Sequence, residues 1–197
     1  MTRLWLVRHA VPLLLAPGIC YGRTDVPADP AATLRAAEAL AAALPAGCRV
    51  VRSPLQRCTA LAEALHRLRP DLPSTADPRL AEMDFGDWEG HAWDALGAER
   101  LDAWTADFAH HAPGGGESVA GFMARVAGAF DEVLASGDTN VVWIAHAGVG
   151  RAAQLLAAGV RQVAQARDWP KEGLAFGGWA VVELHTPAAG TRSNTPG

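Results

Sequence analysis

Cysteine and lysine are scarce in this chain of 197 residues, and each shortage argues against a class of protein. The three cysteines are an odd number without Cys-x-x-Cys spacing, which predicts reduced thiols in a reducing compartment and not a disulfide scaffold. The 17 basic residues, of which only Lys171 is a lysine, are outnumbered by 21 acidic residues. The resulting net charge of −4 argues against a nucleic-acid partner, because such binding depends on a basic surface.

Long apolar runs are also absent. The first run, Leu4 to Val7, ends at the charged Arg8, which makes it too short for a signal-peptide core or a membrane span. Apolar residues still make up 50% of the chain, enough for a sizeable core. We therefore expect a cytoplasmic protein with no membrane partner, one domain over residues 1–185 and a small, polar, disordered tail over residues 186–197.

Hydrophobic periodicity and helix-start signals predict alternating strands and helices. The predicted strands are 4–7, 49–52, one near 76–80, 140–145 and 178–184. The predicted helices are 31–44, about 54–68, 92–106, one beginning near 118 with an apolar stripe to Val133, and 148–158. This order is typical of a three-layer αβα fold of the α/β class with a mostly parallel central sheet. We predict that residues 71–116 form a cap-like excursion from this fold.

Charged side chains and imidazoles follow three of the predicted strands. Arg8 and His9 end the first strand, while Arg57 lies one turn into the helix after the second. His146 follows the strand over residues 140–145. Because ligands of such sheets bind at the carboxyl ends of the strands, we expect these residues to share one site. The cluster is electropositive in an acidic protein, and guanidinium forks suit a phosphate group.

This combination of residues suits transfer of a phosphoryl group. A neutral imidazole can attack phosphorus to give a covalent intermediate, which water then hydrolyses. Neighbouring arginines keep the imidazole unprotonated and stabilise charge on the phosphoryl oxygens. A proton donor must also serve the departing alkoxide. Glu82, which lies between apolar neighbours, is the first candidate, and Glu89 and Asp84 remain alternatives.

Five motifs, in the same order along the chain, resemble those of the histidine phosphatase (phosphoglycerate-mutase-like) superfamily. They are Arg8-His9-Ala10, Ser53-Pro54-Leu55-Gln56-Arg57, the segment 80–90, Gly116-Glu117-Ser118 and His146-Ala147-Gly148. The resemblance covers residues 4 to about 151 and implies a phosphoglycerate-mutase-like fold. It implies that His9 is the phosphorylated nucleophile and that Arg8 and Arg57 hold the phosphate. It also implies that His146 donates to the phosphate oxygens, that Glu82 is the proton donor, and that no metal or cofactor is needed.

Within that superfamily, residues 18–27 and 82–90 are most similar to the alpha-ribazole phosphatase branch. This resemblance implies alpha-ribazole 5′-phosphate as substrate, in the assembly of the cobalamin nucleotide loop. It makes Tyr21, Gly22 and Arg23 candidates for substrate binding. Glu117 either touches substrate or opens a helix, and Ser118 is either a ligand or a helix cap.

Several alternatives remain open. Ala10 replaces the motif glycine and 11–14 lack the Thr-x-x-Asn of mutases, which weakens a phosphoglycerate mutase-like assignment. A broad-specificity sugar or nucleotide phosphate phosphatase shares much of the pattern. A non-catalytic phospholigand-binding module is disfavoured, because binding alone needs no proton donor. The adjacent His110-His111 does not suit a metal site. We expect a small phosphate ester as partner, and a homodimer is one possible assembly.

Overall fold

The computed structural model describes residues 1–13 and 16–185, so the tail predicted over 186–197 lies outside the described residues. In this part of the chain, five strands form one sheet in the order β3-β2-β4-β1-β5. The strands are β1 (Thr2–Arg8), β2 (Arg49–Arg52), β3 (Ser74–Ala76), β4 (Asn140–Ala145) and β5 (Trp179–Leu184). The α-helices are α1 (Pro30–Ala43), α2 (Gln56–Leu68), α3 (Ala98–Ala106), α4 (Val119–Ser136) and α5 (Ala147–Ala157).

Alternation along β1 separates two apolar layers. Leu4 and Leu6 pack with α4 and α5 on one face, whereas Trp5 and Val7 pack with α1 and α2 on the other. The central strand β4 is buried along its whole length, as its unbroken apolar sequence requires. Strands β1 to β4 run parallel, and β5 pairs antiparallel with β1 at the edge. The predicted three-layer α/β fold with a mostly parallel sheet is therefore confirmed.

Two predicted elements differ from the structure. The strand expected near 76–80 ends at Ala76, because Asp77 accepts a hydrogen bond from the Arg79 amide and starts a 3₁₀ turn at Pro78. The helix expected over 92–106 divides into a 3₁₀ turn over Trp93–Leu96 and α3. Gly97 interrupts it with a φ of +85°, a conformation that only glycine adopts readily.

The parallel strands bring the carboxyl ends of β1, β2 and β4 to the same edge of the sheet. Residues of the excursion cover this edge with short 3₁₀ turns and α3 instead of a regular layer. Their aromatic side chains pack around Cys20, Trp88 and Leu96 as a separate small core. Among the described residues, none of the helices combines the length and apolarity that crossing a membrane would take.

Candidate active site

A cavity of about 310 Å³ opens at the edge where β1, β2 and β4 end. The cavity lining combines polar and apolar side chains. The polar lining consists of Arg8, His9, Tyr21, Arg57, Glu82, His146 and Arg151. The apolar lining consists of Ile19, Met83, Phe85, Trp93, Trp104, Phe108, Val119, Phe122, Ala147, Ala166 and Trp169. The site expected at the sheet edge thus contains both histidines and both arginines that the sequence indicated.

His9 is held with one ring nitrogen available for attack. The ring is only 2% exposed, and its Nδ1 lies 2.7 Å from the carbonyl oxygen of Ala10. Because a carbonyl only accepts hydrogen bonds, Nδ1 carries the proton and Nε2 keeps its lone pair. Burial, together with repulsion from Arg57 and Arg8, lowers the pKa of His9 to about 3. The imidazole is therefore neutral at physiological pH.

Arg57 is fully buried, and all its hydrogen bonds in the structure go to neutral groups. Its guanidinium donates to the carbonyl oxygens of Gly22 (2.6 Å) and Thr24 (2.8 Å) and to Nδ1 of His146 (3.3 Å). A Cβ atom on Gly22 would overlap the carbonyl oxygen of Met83, so this tight approach requires glycine. None of the ion pairs among the described residues includes Arg57. Its charge is available to an anion in the cavity.

Arg8 presents a second guanidinium group to the cavity. Its Nη1 donates to the carbonyl oxygen of Leu174 at 2.7 Å, and its Cζ lies 3.6 Å from the centre of the Phe176 ring. Its Nε is buried and has no hydrogen-bond partner among the described residues. An unpartnered buried donor is costly.

His146 lies beside His9, with 5.1 Å between the ring centres. Its Nδ1 accepts from Arg57, so Nε2 carries the proton and donates to the Ser53 hydroxyl at 2.8 Å. Burial, followed by repulsion from Arg57, lowers the pKa of His146 well below its ordinary value. Donation from His146 to phosphate, which the resemblance implies, stays a prediction. Ser53 was expected only as the first residue of a motif, although its position directly after β2 was the available signal for a role in the site.

Glu82 is the acid candidate that lines the cavity. Its Oε2 accepts from the Gly148 amide at 3.0 Å, at the beginning of α5, and its Oε1 accepts from the Met83 amide at 3.1 Å. A Cβ atom on residue 148 would overlap Oε1 of Glu82, which explains the glycine. The carboxyl group is therefore fixed at the cavity wall by two backbone donors.

The two alternative acids lie outside the cavity lining. Glu89 accepts from the backbone amides of Arg23, Thr24 and Phe85 and from the Thr24 hydroxyl. Burial alone would raise the pKa of Glu89, but these hydrogen bonds outweigh it and lower the pKa. Asp84 accepts from the Gly86 amide. Both carboxylates thus stabilise loop backbone.

The remaining predicted binding residues divide into two groups. Tyr21 lines the cavity, where burial raises the pKa of its hydroxyl despite Arg8 and Arg57 nearby. The backbone of Gly22 touches Arg57. Arg23, Glu117 and Ser118 lie outside the lining: Arg23 is exposed, Glu117 pairs with Arg125, and the Ser118 hydroxyl caps α4 through the Gly121 amide. Substrate contact by these three has no geometric support.

The structure adds cavity residues that no sequence motif indicated. Arg151, one turn beyond Gly148 in α5, donates to the carbonyl oxygens of Lys171 and Glu172. This contact holds the segment whose Leu174 carbonyl accepts from Arg8. The sequence did not indicate most of the aromatic lining; it marked Trp88 and Trp93 as residues that either line a substrate pocket or only pack the excursion, and of these two Trp93 lines the cavity. The other members of the aromatic lining come from distant parts of the chain, so no local pattern marked them.

The free energy of unfolding should depend on pH because of the two buried imidazoles. Above about pH 6.5, their ordinary pKa, both rings are neutral in the folded and the unfolded chain. Below that pH the unfolded chain takes up protons that the folded protein excludes until about pH 3 for His9. The free energy of unfolding should therefore fall on acidification by up to about 1.4 kcal/mol per pH unit for each histidine.

Urea unfolding at a series of pH values from about 7 down to 4 measures this slope. His9→Asn should flatten it, because the variant has one fewer imidazole to protonate. His66→Asn, on the exposed side of α2, serves as the control and should preserve the contribution of the buried pair. Equal slopes for wild type and His9→Asn would contradict a neutral buried His9.

Comparison with known proteins agrees with this geometry. A family model described as the histidine phosphatase superfamily (branch 1) matches residues 4–180. The adenosylcobalamin/alpha-ribazole phosphatase of Escherichia coli K12 is 34% identical over 132 residues, 63% of each chain, so this chain spans just under two thirds of that relative. A Hydrogenobacter thermophilus protein, provisionally named phosphoserine phosphatase 2, is 32% identical over 166 residues, 81% of this chain and 80% of its own.

The same likeness holds in three dimensions. The crystal structure of the alpha-ribazole phosphatase from Shigella flexneri is similar with a TM-score of 0.78 at 26% identity, covering 93% of this chain and 91% of its own. Its fold is thus shared across almost all of the described residues. The family match includes the two histidines and two arginines that the sequence indicated, at the ends of β1 and β4 and at the start of α2. The chain therefore belongs to branch 1 of the histidine phosphatase superfamily.

Proposed function

We propose that this protein is a phosphatase that cleaves phosphomonoesters through a phosphohistidine at His9. The observation that carries the proposal is a neutral imidazole with a free Nε2 beside two arginines that lack carboxylate partners among the described residues. A dianionic phosphate balances this charge and brings phosphorus to the nucleophile. The chemistry needs no metal, because the guanidinium groups stabilise the phosphoryl oxygens.

The two half-reactions use the same side chains. In the first, the Nε2 lone pair of His9 forms a bond to phosphorus while the ester P–O bond breaks, and Glu82 gives its proton to the leaving oxygen. In the second, water attacks the phosphohistidine and loses a proton to Glu82 as the P–N bond breaks. Inorganic phosphate leaves, and both side chains return to their starting states. Arg8 and Arg57 hold the phosphoryl group throughout.

The apolar part of the cavity lining supports a substrate with an aromatic leaving group. Eleven apolar or aromatic residues belong to it, including Trp93, Trp104 and Trp169. Alpha-ribazole 5′-phosphate carries an uncharged bicyclic aromatic base, which suits such walls. Phosphoserine and sugar phosphates have small polar leaving groups that would leave this surface unused. We therefore propose alpha-ribazole 5′-phosphate as the preferred substrate, with release of alpha-ribazole and phosphate.

A matched pair of substrates tests this preference. Alpha-ribazole 5′-phosphate and ribose 5-phosphate present the same ester oxygen, but only the first carries the base. We expect kcat/KM to be about 10²-fold higher for the first, because the base buries apolar area. Trp104→Leu should reduce the advantage while leaving ribose 5-phosphate hydrolysis unchanged.

Other outcomes would redirect the assignment. Equal kcat/KM values for the pair, with good turnover of phosphoserine, would indicate a broad-specificity phosphatase. Phosphate binding without any turnover of p-nitrophenyl phosphate would indicate a binding module. Each assay is run with and without excess chelator, which we expect to have no effect. Loss of activity in chelator would overturn the metal-independent mechanism.

A further inference from the structure

An ion pair lies behind the proton donor, outside the cavity lining. Arg125, on the second turn of α4, donates from Nε and Nη2 to the two carboxylate oxygens of Glu117 at 2.7 and 2.8 Å. The two side chains are 22% and 21% exposed. Such a two-bonded fork fixes both groups in orientation as well as distance. Both carboxylate oxygens of Glu117 therefore accept hydrogen bonds from Arg125.

The remaining donors of Arg125 bind the backbone that leads to Glu82. Nη1 donates to the carbonyl oxygens of Arg79 (2.8 Å) and Ala81 (2.7 Å), and Nη2 donates to that of Glu82 (3.0 Å). With the two bonds to Glu117, this accounts for all five N–H donors of the guanidinium group. A lysine has three donors and no planar fork, so it cannot reproduce the arrangement.

The segment that carries Glu82 depends on this contact for its shape. Residues 81–85 form neither helix nor strand, so regular backbone hydrogen bonds do not hold them. The Glu117 amide also donates to the carbonyl oxygen of Asp84 at 2.8 Å, which anchors the segment on the other side of Glu82. Arg125 and Glu117 thus fix the backbone, and the amides of Met83 and Gly148 fix the carboxyl group.

We propose that Arg125 and Glu117 are positioning residues that hold Glu82 where it can protonate the leaving group. This inference rests on the role of Glu82 in the proposed function. It also gives Glu117 a role in the reaction that acts through another residue instead of through substrate contact. A displacement of the acid by about 1 Å is enough to lower a rate by about 10²-fold.

Two aromatic esters of similar size separate positioning from simple structural damage. Benzyl phosphate releases an alkoxide that needs a proton, whereas p-nitrophenyl phosphate releases a stable phenolate that does not. Glu82→Gln sets the scale, since it removes the proton donor directly. We expect Arg125→Met and Glu117→Gln to lower kcat/KM for benzyl phosphate by about 10- to 10²-fold and kcat/KM for p-nitrophenyl phosphate less than about threefold. The ratio kcat/KM is compared because it reports the first half-reaction and not the later hydrolysis of the phosphohistidine, which also uses Glu82. Arg125→Lys should restore only part of the loss.

A double variant and a surface control complete the experiment. The double variant Glu82→Gln/Arg125→Met should have the same benzyl to p-nitrophenyl ratio of kcat/KM as Glu82→Gln alone, because both changes impair the same proton transfer. The control is Arg161→Met, which breaks the exposed pair of Arg161 with Asp131 of α4 and should leave both rates unchanged. Circular dichroism and urea unfolding report the folded fraction of each variant, and Glu117→Gln repeats the test if Arg125→Met does not fold.

Each alternative result has a distinct meaning. Equal losses for the two esters, or no loss for either, would overturn the positioning role of Arg125 and Glu117. If Glu82→Gln lowers kcat/KM for both esters equally, the assignment of Glu82 as proton donor fails, and the present inference fails with it. A third result is that Glu82→Gln lowers the benzyl to p-nitrophenyl ratio of kcat/KM as expected while Arg125→Met leaves that ratio at the wild-type value. That result rejects the inference, and the proposed function stands.

Discussion

His9→Asn should reduce kcat for p-nitrophenyl phosphate by about 10⁴-fold or more, since no other nucleophile takes its place. Asparagine preserves a polar group of similar reach but has no lone pair suited to attack phosphorus. The other imidazole in the cavity, His146, uses Nδ1 as an acceptor for Arg57 and Nε2 as a donor to Ser53. Neither nitrogen of His146 is free to substitute for Nε2 of His9.

Rates and covalent labelling together measure this prediction. Brief incubation with labelled substrate followed by an alkaline quench should trap phosphate on wild-type protein and on His66→Asn, but not on His9→Asn. His66 is the matched control because it is an exposed histidine of α2 outside the cavity lining. Normal turnover by His9→Asn, or a label that survives in that variant, would refute the phosphohistidine mechanism.

Arg57→Met should lower kcat/KM by about 10²- to 10³-fold, the loss associated with removing one charged donor from such a site. Inorganic phosphate should inhibit the variant more weakly, because the positive charge of the cavity decreases. Arg57→Lys keeps the charge but lacks the planar fork that reaches Gly22, Thr24 and His146, so it should recover only part of the activity.

The pH dependence gives Arg57→Met a second, independent readout. Repulsion from Arg57 helps burial to lower the pKa of His9, so removing the cation should raise that pKa and move the acidic limb of the rate profile to higher pH. Arg52→Met is the control, because Arg52 donates to the Thr59 hydroxyl and lies outside the cavity lining. An Arg57→Met enzyme with wild-type phosphate inhibition and an unmoved acidic limb would contradict a phosphate-binding role.

The fold and one half of the site were accessible from the sequence for a simple physical reason. The carboxyl ends of parallel strands lie at the same edge of a sheet, so Arg8, His9 and His146 could be placed together from the predicted strands and their direction. Helix periodicity placed Arg57 in the same region. Where local signals compete, prediction was less accurate. Asp77-Pro78 started a turn inside a predicted strand end, and Gly97 divided a predicted helix.

The choice among acidic residues required the tertiary structure. Glu82, Asp84 and Glu89 lie within one short segment of similar composition, and only the path of the backbone decides which carboxyl group reaches the cavity. Glu89 instead accepts hydrogen bonds from loop residues 23 and 24, more than 60 residues earlier. The aromatic lining of the cavity also brings together residues that are distant in sequence. The same is true of the hydrogen bonds from Arg125 to the backbone that leads to Glu82.

By itself, the sequence determined the α/β architecture and the electropositive cluster at the sheet edge, because periodicity and strand polarity are local properties. Only the tertiary structure decided which acid faces that cluster, which ring nitrogen of His9 is free, and that Glu117 binds Arg125. Those features depend on contacts between irregular segments, where no repeating backbone pattern constrains the direction of a side chain.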